Sequence, residues 1–354
     1  MRVLYVVGSN EGASKRYRVY NNIEALDSID IQSEWIWEIN PEIYSTQYLK
    51  QFTLIVYFRG SYSERFGVLR ANARRLRIPI AYDIDDLVFD ETIVSHVDAF
   101  NKMSSNLQLE YINGVRSMRQ ALTACDAATA STQIIADHIK KTCNMDAYVI
   151  PLGINKTQMQ IADILSGYDG GPRYITYLSG TKTHDRDFTE AAPALSSILA
   201  KYDDVFLKIV GPLEIPTILS KSMGKIIHLP FMRWESLLIE TAASYVNIAP
   251  LDTKSLFCNA KSNLKYFEAA LTAIPTIASP IQSYEEAITS GINGYLANND
   301  EEWYDYLSEL IDRPERRDNI GKAARADVYR GFTPKVIAEY LAVTYNKIIS
   351  NYSG

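Results

Sequence analysis

Short apolar runs alternate with longer stretches of helical periodicity along almost the whole chain. In the first half the apolar runs are Val3–Val7, Leu54–Phe58, Ile78–Tyr82 and Ala147–Ile150, with a fainter one at Ala127–Ala130. Between them Tyr17–Leu26, Glu64–Leu76 and Leu107–Thr123 place apolar residues at helical spacing. The second half offers strands at Tyr174–Leu178, Val205–Val210, Ile226–Leu229, Tyr245–Ala249 and Thr276–Ala278, and helices at Phe188–Lys201, Trp234–Ala243 and Asn263–Ala273. Because the strand runs are continuous rather than alternating, both of their faces are expected to be covered, as in parallel sheets flanked by helices. Strands separated by helices of this length require right-handed βαβ crossovers. After Gly294-Tyr-Leu296 the pattern is helical to the end: Asp300–Ile311, Pro314–Tyr329 and Pro334–Asn351.

Roughly ten strands exceed what one sheet commonly holds. The stretch Ser166-Gly-Tyr-Asp-Gly-Gly-Pro172 between the two series has the composition of a linker. The pattern therefore predicts two doubly wound α/β domains, residues 1–168 and 173–332, with a helical tail. Open α/β sheets take their ligands beyond the C-terminal ends of their strands, so a cleft between two facing sets of strand ends is the expected site.

Composition narrows the function. The 354 residues carry a formal net charge of −6, which argues against a protein that coats nucleic acid. Three cysteines (Cys125, Cys143, Cys258) and four histidines share no ligand spacing, so neither a disulfide framework nor a metal centre is expected. No apolar run has the length of a membrane span. The opening Met-Arg-Val-Leu-Tyr-Val-Val reads as a first buried strand rather than a signal peptide, and a cytoplasmic protein is expected.

The most informative stretch runs from Asn247 to Leu271. A strand ends near Pro250, a polar loop follows, and a helix is expected to begin at Ser262 as N-cap, with its free backbone N–H groups turned into the loop. Leu264, Phe267 and Leu271 make one stripe of that helix, and Lys261, Lys265, Glu268 and Thr272 make another. Two cations and a carboxylate beside a helix start suit a nucleotide-diphosphate sugar, with the lysines and dipole on the diphosphate and Glu268 on ribose hydroxyls. On spacing alone, a solvated face with an ordinary Lys265–Glu268 pair is the simpler reading.

Taken with Glu268-Ala-Ala-Leu-Thr-Ala-Ile-Pro-Thr-Ile-Ala-Ser279, Tyr284-Glu-Glu-Ala-Ile, Gly291-Ile-Asn-Gly-Tyr295 and Trp303, this stretch resembles the donor-binding segment of retaining glycosyltransferases of the GT-B fold, family four. The likeness covers about Tyr174 to Phe332. It implies two Rossmann-like domains, the first binding acceptor and the second a nucleotide sugar, with the terminal helix 334–351 packed back on the first. It also implies hexosyl transfer with retention to a glycan or lipid-linked acceptor, in polysaccharide or glycoconjugate synthesis, without a catalytic metal or other cofactor. Glu268 matches the family's ribose-binding glutamate. A second glutamate is usual eight positions earlier, where this chain has Ala260; Lys261, Ser262 and Asn263 stand in its neighbourhood. A sugar-nucleotide epimerase and a non-catalytic GT-B subunit are the competing readings, the latter supported by Ala260.

Tyr177-Leu-Ser-Gly-Thr-Lys-Thr-His-Asp-Arg-Asp187 follows the strand that opens the second domain. Gly180 and Thr181 suit close backbone approach to a phosphate. Lys182 and His184 are candidates for the family's Arg/Lys pair here, although the spacing differs, and an Asp185 helix cap with bystander neighbours is the competing reading. Val210-Gly-Pro212 and Leu229-Pro-Phe231 are expected to shape the base pocket.

In the first domain, Gly8-Ser-Asn-Glu-Gly-Ala-Ser-Lys-Arg-Tyr-Arg18 lacks the second and third glycines of a dinucleotide fingerprint, which argues against an NAD enzyme. Arg16 and Arg18 are candidates to grip an acceptor phosphate, or are simply solvated. The phrase Tyr82-Asp-Ile-Asp-Asp-Leu-Val-Phe89 resembles a motif of bacterial surface-polysaccharide glycosyltransferases. Its Asp83, Asp85 and Asp86 are expected at a strand C-terminal end, where hydroxyl binding competes with helix capping and ion pairing to Arg59. Asp85 is the candidate for a role in transfer, beside Lys261 and Lys265 on the leaving group. Arg70, Arg74 and Arg77 form a basic stripe that suits peripheral contact with an anionic membrane face, or a plain solvated surface.

Overall fold

A computed structural model describes residues 1–8, 12–165, 171–180 and 185–353. Two compact units appear in it. The first comprises Met1–Ser95, Phe100–Asn155 and Phe332–Gly354, and the second His96–Ala99 and Lys156–Gly331. The helix Lys156–Leu165 thus belongs to the second unit. Residues 166–170 of the linker lie outside the described residues.

The first unit holds β1 (Arg2–Val7), β2 (Gln32–Trp37), β3 (Leu54–Phe58), β4 (Ile80–Ile84), β5 (Ala127–Ala130) and β6 (Ala147–Val149). They pair in the order β2-β1-β3-β4-β5-β6, every neighbour parallel. The second unit holds β7 (Arg173–Leu178), β8 (Val205–Val210), β9 (Ile226–Leu229), β10 (Val246–Ala249), β11 (Thr276–Ala278) and β12 (Tyr295–Leu296). Their order is β12-β11-β10-β7-β8-β9, again all parallel. In each sheet the chain first builds outward on one side and then crosses to the other. The reversal lies between β1 and β3 in the first unit and between β7 and β10 in the second. Such reversals part the crossover helices and open a crevice at the strand C-terminal ends.

Central strands are buried along their length, which is why their apolar runs were legible: Leu54–Phe58 and Val3–Val7 are at most 1% exposed. Two edge strands escaped the pattern. β2 reads Gln-Ser-Glu-Trp-Ile-Trp and is half-buried, because an edge strand needs no continuous apolar run, and β12 is two residues long. The helix Glu64–Leu76 has the expected bounds, capped by Ser63 Oγ on the Phe66 N–H. The expected helix Phe188–Lys201 is instead Asp185–Thr189 followed by Ala192–Lys201, the second starting where Pro193 sits in a first turn. The expected Tyr17–Leu26 opens with a π-helical turn, Arg16–Tyr20, ahead of Asn21–Asp27.

Each unit has its own core. In the second, Trp303, Leu307, Leu310 and Ile311 of helix Asp300–Asp312 pack with β7, β8 and β10. In the first, the terminal helix Pro334–Ser353 supplies Ile337, Ala338, Leu341, Tyr345 and Ile348 to the core around Val3, Tyr5 and Val7. Buried leucines and isoleucines of this kind contribute about 1.5–3 kcal/mol each. Tyr5 and Tyr345 join their hydroxyls at 2.8 Å inside that core.

Candidate functional site

The β7/β10 reversal of the second unit is bordered by two loops. On the β7 side, Ser179 N–H donates to the Val210 carbonyl at 2.8 Å and Ser179 Oγ to the Pro212 carbonyl, tying the loops after β7 and β8 together. Gly180 follows with φ +71°, and a Cβ at Gly180 would meet nothing within 4 Å, so open space lies over its backbone. A side chain at Gly211, φ +98°, would press to 3.3 Å from the Gly180 nitrogen. These glycines are required by geometry: the conformations are left-handed and the backbones nearly touch. Asp185 Oδ1 accepts the Glu214 N–H at 3.1 Å. Thr181, Lys182 and His184, expected as phosphate ligands, lie outside the described residues.

On the β10 side, Ser255 caps the short helix Leu256–Asn259 by accepting from the Cys258 N–H. Asp187 joins this turn to the β7 side. It is 2% exposed, and its Oδ1 accepts from the Asp252 N–H at 3.1 Å and from Cys258 Sγ at 3.2 Å. Burial, then the Asp187 charge, push the Cys258 thiol up to about 12. Sequence reasoning missed Asp187; the one signal was a carboxylate directly before the apolar Phe188.

Lys265, in the first turn of helix Leu264–Leu271, projects into this setting. Its ammonium is buried, has no hydrogen-bond partner among the described residues, and stands 4.5 Å from the centroid of the Tyr177 ring. Burial pushes it down to about 8; Asp187 acts against that shift and Lys261 adds to it. A buried cation with unsatisfied donors is costly and is relieved by an acceptor. The Tyr177 hydroxyl in the same region likewise lacks a partner.

The rest of the stretch departs from expectation in one respect. The helix starts one residue later than foreseen, with Asn263 at the N-cap position and no side-chain capping bond, so Ser262 is not the cap. Asn263 is held near the helical region (φ −81°, ψ 28°), a backbone in which an N-cap side chain is not extended toward the N2 and N3 amides. Lys261 is half-buried, its ammonium 4.6 Å from the Phe257 ring centroid, while its carbonyl accepts from Ser283 Oγ at 2.7 Å. Glu268 is half-buried one turn beyond Lys265. With Gln158, Trp234 and Thr241 it borders a cavity of about 10 Å³, room for one water. Ala260, 1% exposed, ends the Leu256–Asn259 helix in the core, where a glutamate would bury its charge.

In the first unit the structure corrects two expectations. Arg18 is fully buried, and Asp83 is 1% exposed. The Arg18 Nε donates to Asp83 Oδ2 at 2.9 Å, and its other nitrogens reach Asp83 Oδ1 and the Ile150 carbonyl. Thr129 Oγ1 donates to the same carboxylate. Both residues are thus satisfied inside the protein, tying the π-turn to β4, β5 and β6 rather than meeting an acceptor. Arg16 is 9% exposed, with its guanidinium 4.3 Å from the Tyr17 ring, instead of standing free at a helix start. Asp85 and Asp86 take the ion-pairing option: Arg59 Nη1 lies 2.9 Å from Asp85 and 3.5 Å from Asp86. Arg59 itself has φ +45°, a left-handed backbone costing roughly 1–2 kcal/mol in a residue with a Cβ.

The basic stripe does not survive as one face. The helix ends at Leu76, Arg77 takes a left-handed conformation as its C-cap, and Arg70 Nε donates to the Ala124 carbonyl at 2.6 Å. Among the described residues no helix is long and apolar enough to cross a membrane.

Residues 238–342, which contain Lys261, Lys265 and Glu268, match the family described as Glycosyl transferase-like. Phosphatidyl-myo-inositol mannosyltransferase of Mycobacterium leprae is 23% identical over 215 residues, 59% of this chain and 55% of that protein, so the likeness spans about half of the relative. Among solved structures, sucrose-phosphate synthase from Thermosynechococcus elongatus superposes with a TM-score of 0.64 at 12% identity, covering 99% of this chain and 100% of the other. Anabaena HepE in complex with UDP gives 0.64 at 14% identity, covering 98% and 100%. These structural likenesses span both units and establish the architecture. Its two six-stranded parallel sheets thus have the GT-B fold of these structures, and the segment that carries the lysine–glutamate stretch is similar to the Glycosyl transferase-like family.

Proposed function

We propose that the chain transfers a hexosyl group from a nucleotide-diphosphate sugar to a hydroxyl of a glycan or lipid-linked acceptor, with retention at the anomeric carbon. It would act in the cytoplasm, in polysaccharide or glycoconjugate synthesis. The observation that carries this reading is the Lys265 ammonium, buried and without a hydrogen-bond partner at the β7/β10 reversal. A diphosphate supplies the missing acceptor oxygens. Lys261 and Lys265 neutralise it, Gly180 lets its backbone approach, and Glu268 accepts from two ribose hydroxyls. As the glycosidic bond to the diphosphate breaks, negative charge grows on the leaving oxygen. A fixed ammonium in a dry site stabilises that charge more than it stabilises the intact donor. The departing phosphate takes the proton of the attacking hydroxyl, and the two lysines do the work a divalent metal does elsewhere. The complexes of HepE with UDP and with UDP-glucose, and the mannosyltransferase name of the relative, support a sugar-nucleotide donor.

A thermal-shift screen against UDP, GDP, dTDP, CMP, NAD and the common sugar conjugates tests this. Stabilisation by one diphosphate, altered by its sugar conjugate, is expected. Silence toward every nucleotide, or a response to NAD alone, would refute it. Tight nucleotide binding with neither transfer nor donor hydrolysis would favour a non-catalytic GT-B subunit.

A further inference from the structure

Resting on the transferase reading above, we propose that Asp187 is a positioning residue for transfer. It fastens the turn that leads into Lys261 and supplies the negative charge that steadies the buried Lys265 ammonium, so that both cations stand ready for the donor diphosphate. Asp187 lies in the short helix Asp185–Thr189 and is 2% exposed. A carboxylate so enclosed is costly unless hydrogen bonds satisfy it. Its Oδ1 takes the Asp252 N–H from the loop after β10 and the Cys258 thiol from the helix Leu256–Asn259.

The residues beside Asp187 serve the same join. Arg186 Nη2 lies 3.0 Å from Asp252 Oδ2, and Asp252 Oδ1 accepts the Lys254 N–H at 3.0 Å. Asp185 reaches the other way, to the Glu214 N–H after β8. Phe188, fully buried, anchors the helical turn, its ring centroid 4.9 Å from that of Tyr177 on β7. One charged run, Asp185-Arg186-Asp187, therefore ties the segments that follow β8 and β10 to the one that follows β7.

The join reaches both lysines. Cys258, bonded to Asp187, gives its carbonyl to the Lys261 N–H at 3.1 Å, which fixes the turn into Lys261. Lys265 feels Asp187 through space: after burial, which disfavours the ammonium, the Asp187 charge is the foremost influence and favours it. Lys261 opposes that attraction, and Glu268 and Cys258 add to it. Burial raises the Tyr177 and Tyr284 hydroxyls and the Cys258 thiol, so none of the three is charged near pH 8. The charges that act on Lys265 in that range are thus Asp187 and Glu268 against Lys261.

Asp187→Asn keeps an acceptor for both hydrogen bonds and removes only the charge. Its affinity for UDP or GDP, followed by calorimetry from pH 6 to 9.5, is expected to equal or exceed wild type at pH 6. At pH 8.5 it is expected to be roughly five- to tenfold weaker, because the Lys265 midpoint moves down by about one pH unit. The rise of urea stability with pH is expected to start about one unit lower for the same reason, a readout that needs no nucleotide. Added to Lys265→Met, Asp187→Asn is expected to shift neither curve. A uniform loss of affinity at every pH, an unchanged midpoint, or a shift that persists without Lys265 would overturn the proposal. Should Asp187→Asn not fold, Cys258→Ala leaves the carboxylate charged and is expected to keep the wild-type midpoint. A midpoint that falls in Cys258→Ala would overturn the proposal too, since packing and not the Asp187 charge would then set it. If no nucleotide binds the wild type, the transferase reading fails on that count, and the stability curves still decide whether Asp187 holds the charge on Lys265.

Discussion

The two chain reversals each lie beside the first strand of a six-stranded parallel sheet, though in different strand orders, and treat charge in opposite ways. At the β1/β3 reversal the charged side chains satisfy one another: Arg18 with Asp83 deep inside, Arg59 with Asp85 and Asp86 nearer the surface. At the β7/β10 reversal the buried Lys265 ammonium has no hydrogen bond among the described residues. A matched cluster gives rigidity, whereas an unmatched buried cation holds free energy that an arriving anion releases. Under the proposed function, the difference points an anionic partner to the second unit.

The largest effect that would break this comparison lies in the matched pair. Asp83→Ala strands a buried guanidinium and is expected to cost about 3–5 kcal/mol in urea unfolding, with Arg18→Met in the same chain restoring part of it. A loss below 1 kcal/mol would show that the pair is not the buried anchor described.

Lys265→Met comes next and separates binding from stability. Nucleoside diphosphate affinity is expected to fall by about 1.5–3 kcal/mol, the range of a charge-assisted bond. Stability should rise, on the order of 1–3 kcal/mol near neutral pH. The sign follows from linkage. The ammonium is pushed from its ordinary 10.5 down to about 8 in the folded chain. Between these values the unfolded state binds more protons, so stability climbs as pH rises through that window, and below about 8 the penalty is present in full. Affinity for UDP or GDP has the reverse slope, weakening above about pH 8 as the free protein loses the charge. Calorimetric titration from pH 7 to 9.5 reads both. A destabilised Lys265→Met would mean that the ammonium has a structural partner after all.

Glu268→Ala is expected to weaken nucleotide binding by about 1–3 kcal/mol, less for bare pyrophosphate, which has no ribose. Equal losses for the two ligands would remove Glu268 from the ribose. Smallest of all is Ser262→Ala. Since Ser262 does not cap the helix, its stability change should stay below about 0.5 kcal/mol, against about 1 for a true N-cap.

How much of this was legible in the sequence depended on range. The central strands were readable because full burial on both faces writes continuous apolar runs, and the helix carrying Lys265 and Glu268 because a helix repeats locally; Lys261, expected on the same stripe, precedes that helix. The edge strand Gln32–Trp37 was not, since half-exposure leaves a mixed pattern. The Arg18–Asp83 bond joins residues 65 positions apart, and nothing in either neighbourhood announces it. The acidic phrase around Asp85 was visible as chemistry, but its pairing with Arg59 depends on a left-handed turn that spelling does not reveal. The Tyr177 ring beside Lys265 and the Asp187 charge that opposes its downward shift likewise come from far away along the chain.

The terminal helix has a consequence for synthesis. It supplies Ile337, Leu341 and Tyr345 to the core around β1, the first strand made. The second unit's main stretch, Lys156–Gly331, is translated before that helix exists. The nascent first unit must therefore wait with an uncovered apolar face while its younger neighbour completes. Within this chain the segment translated first reaches its native packing last.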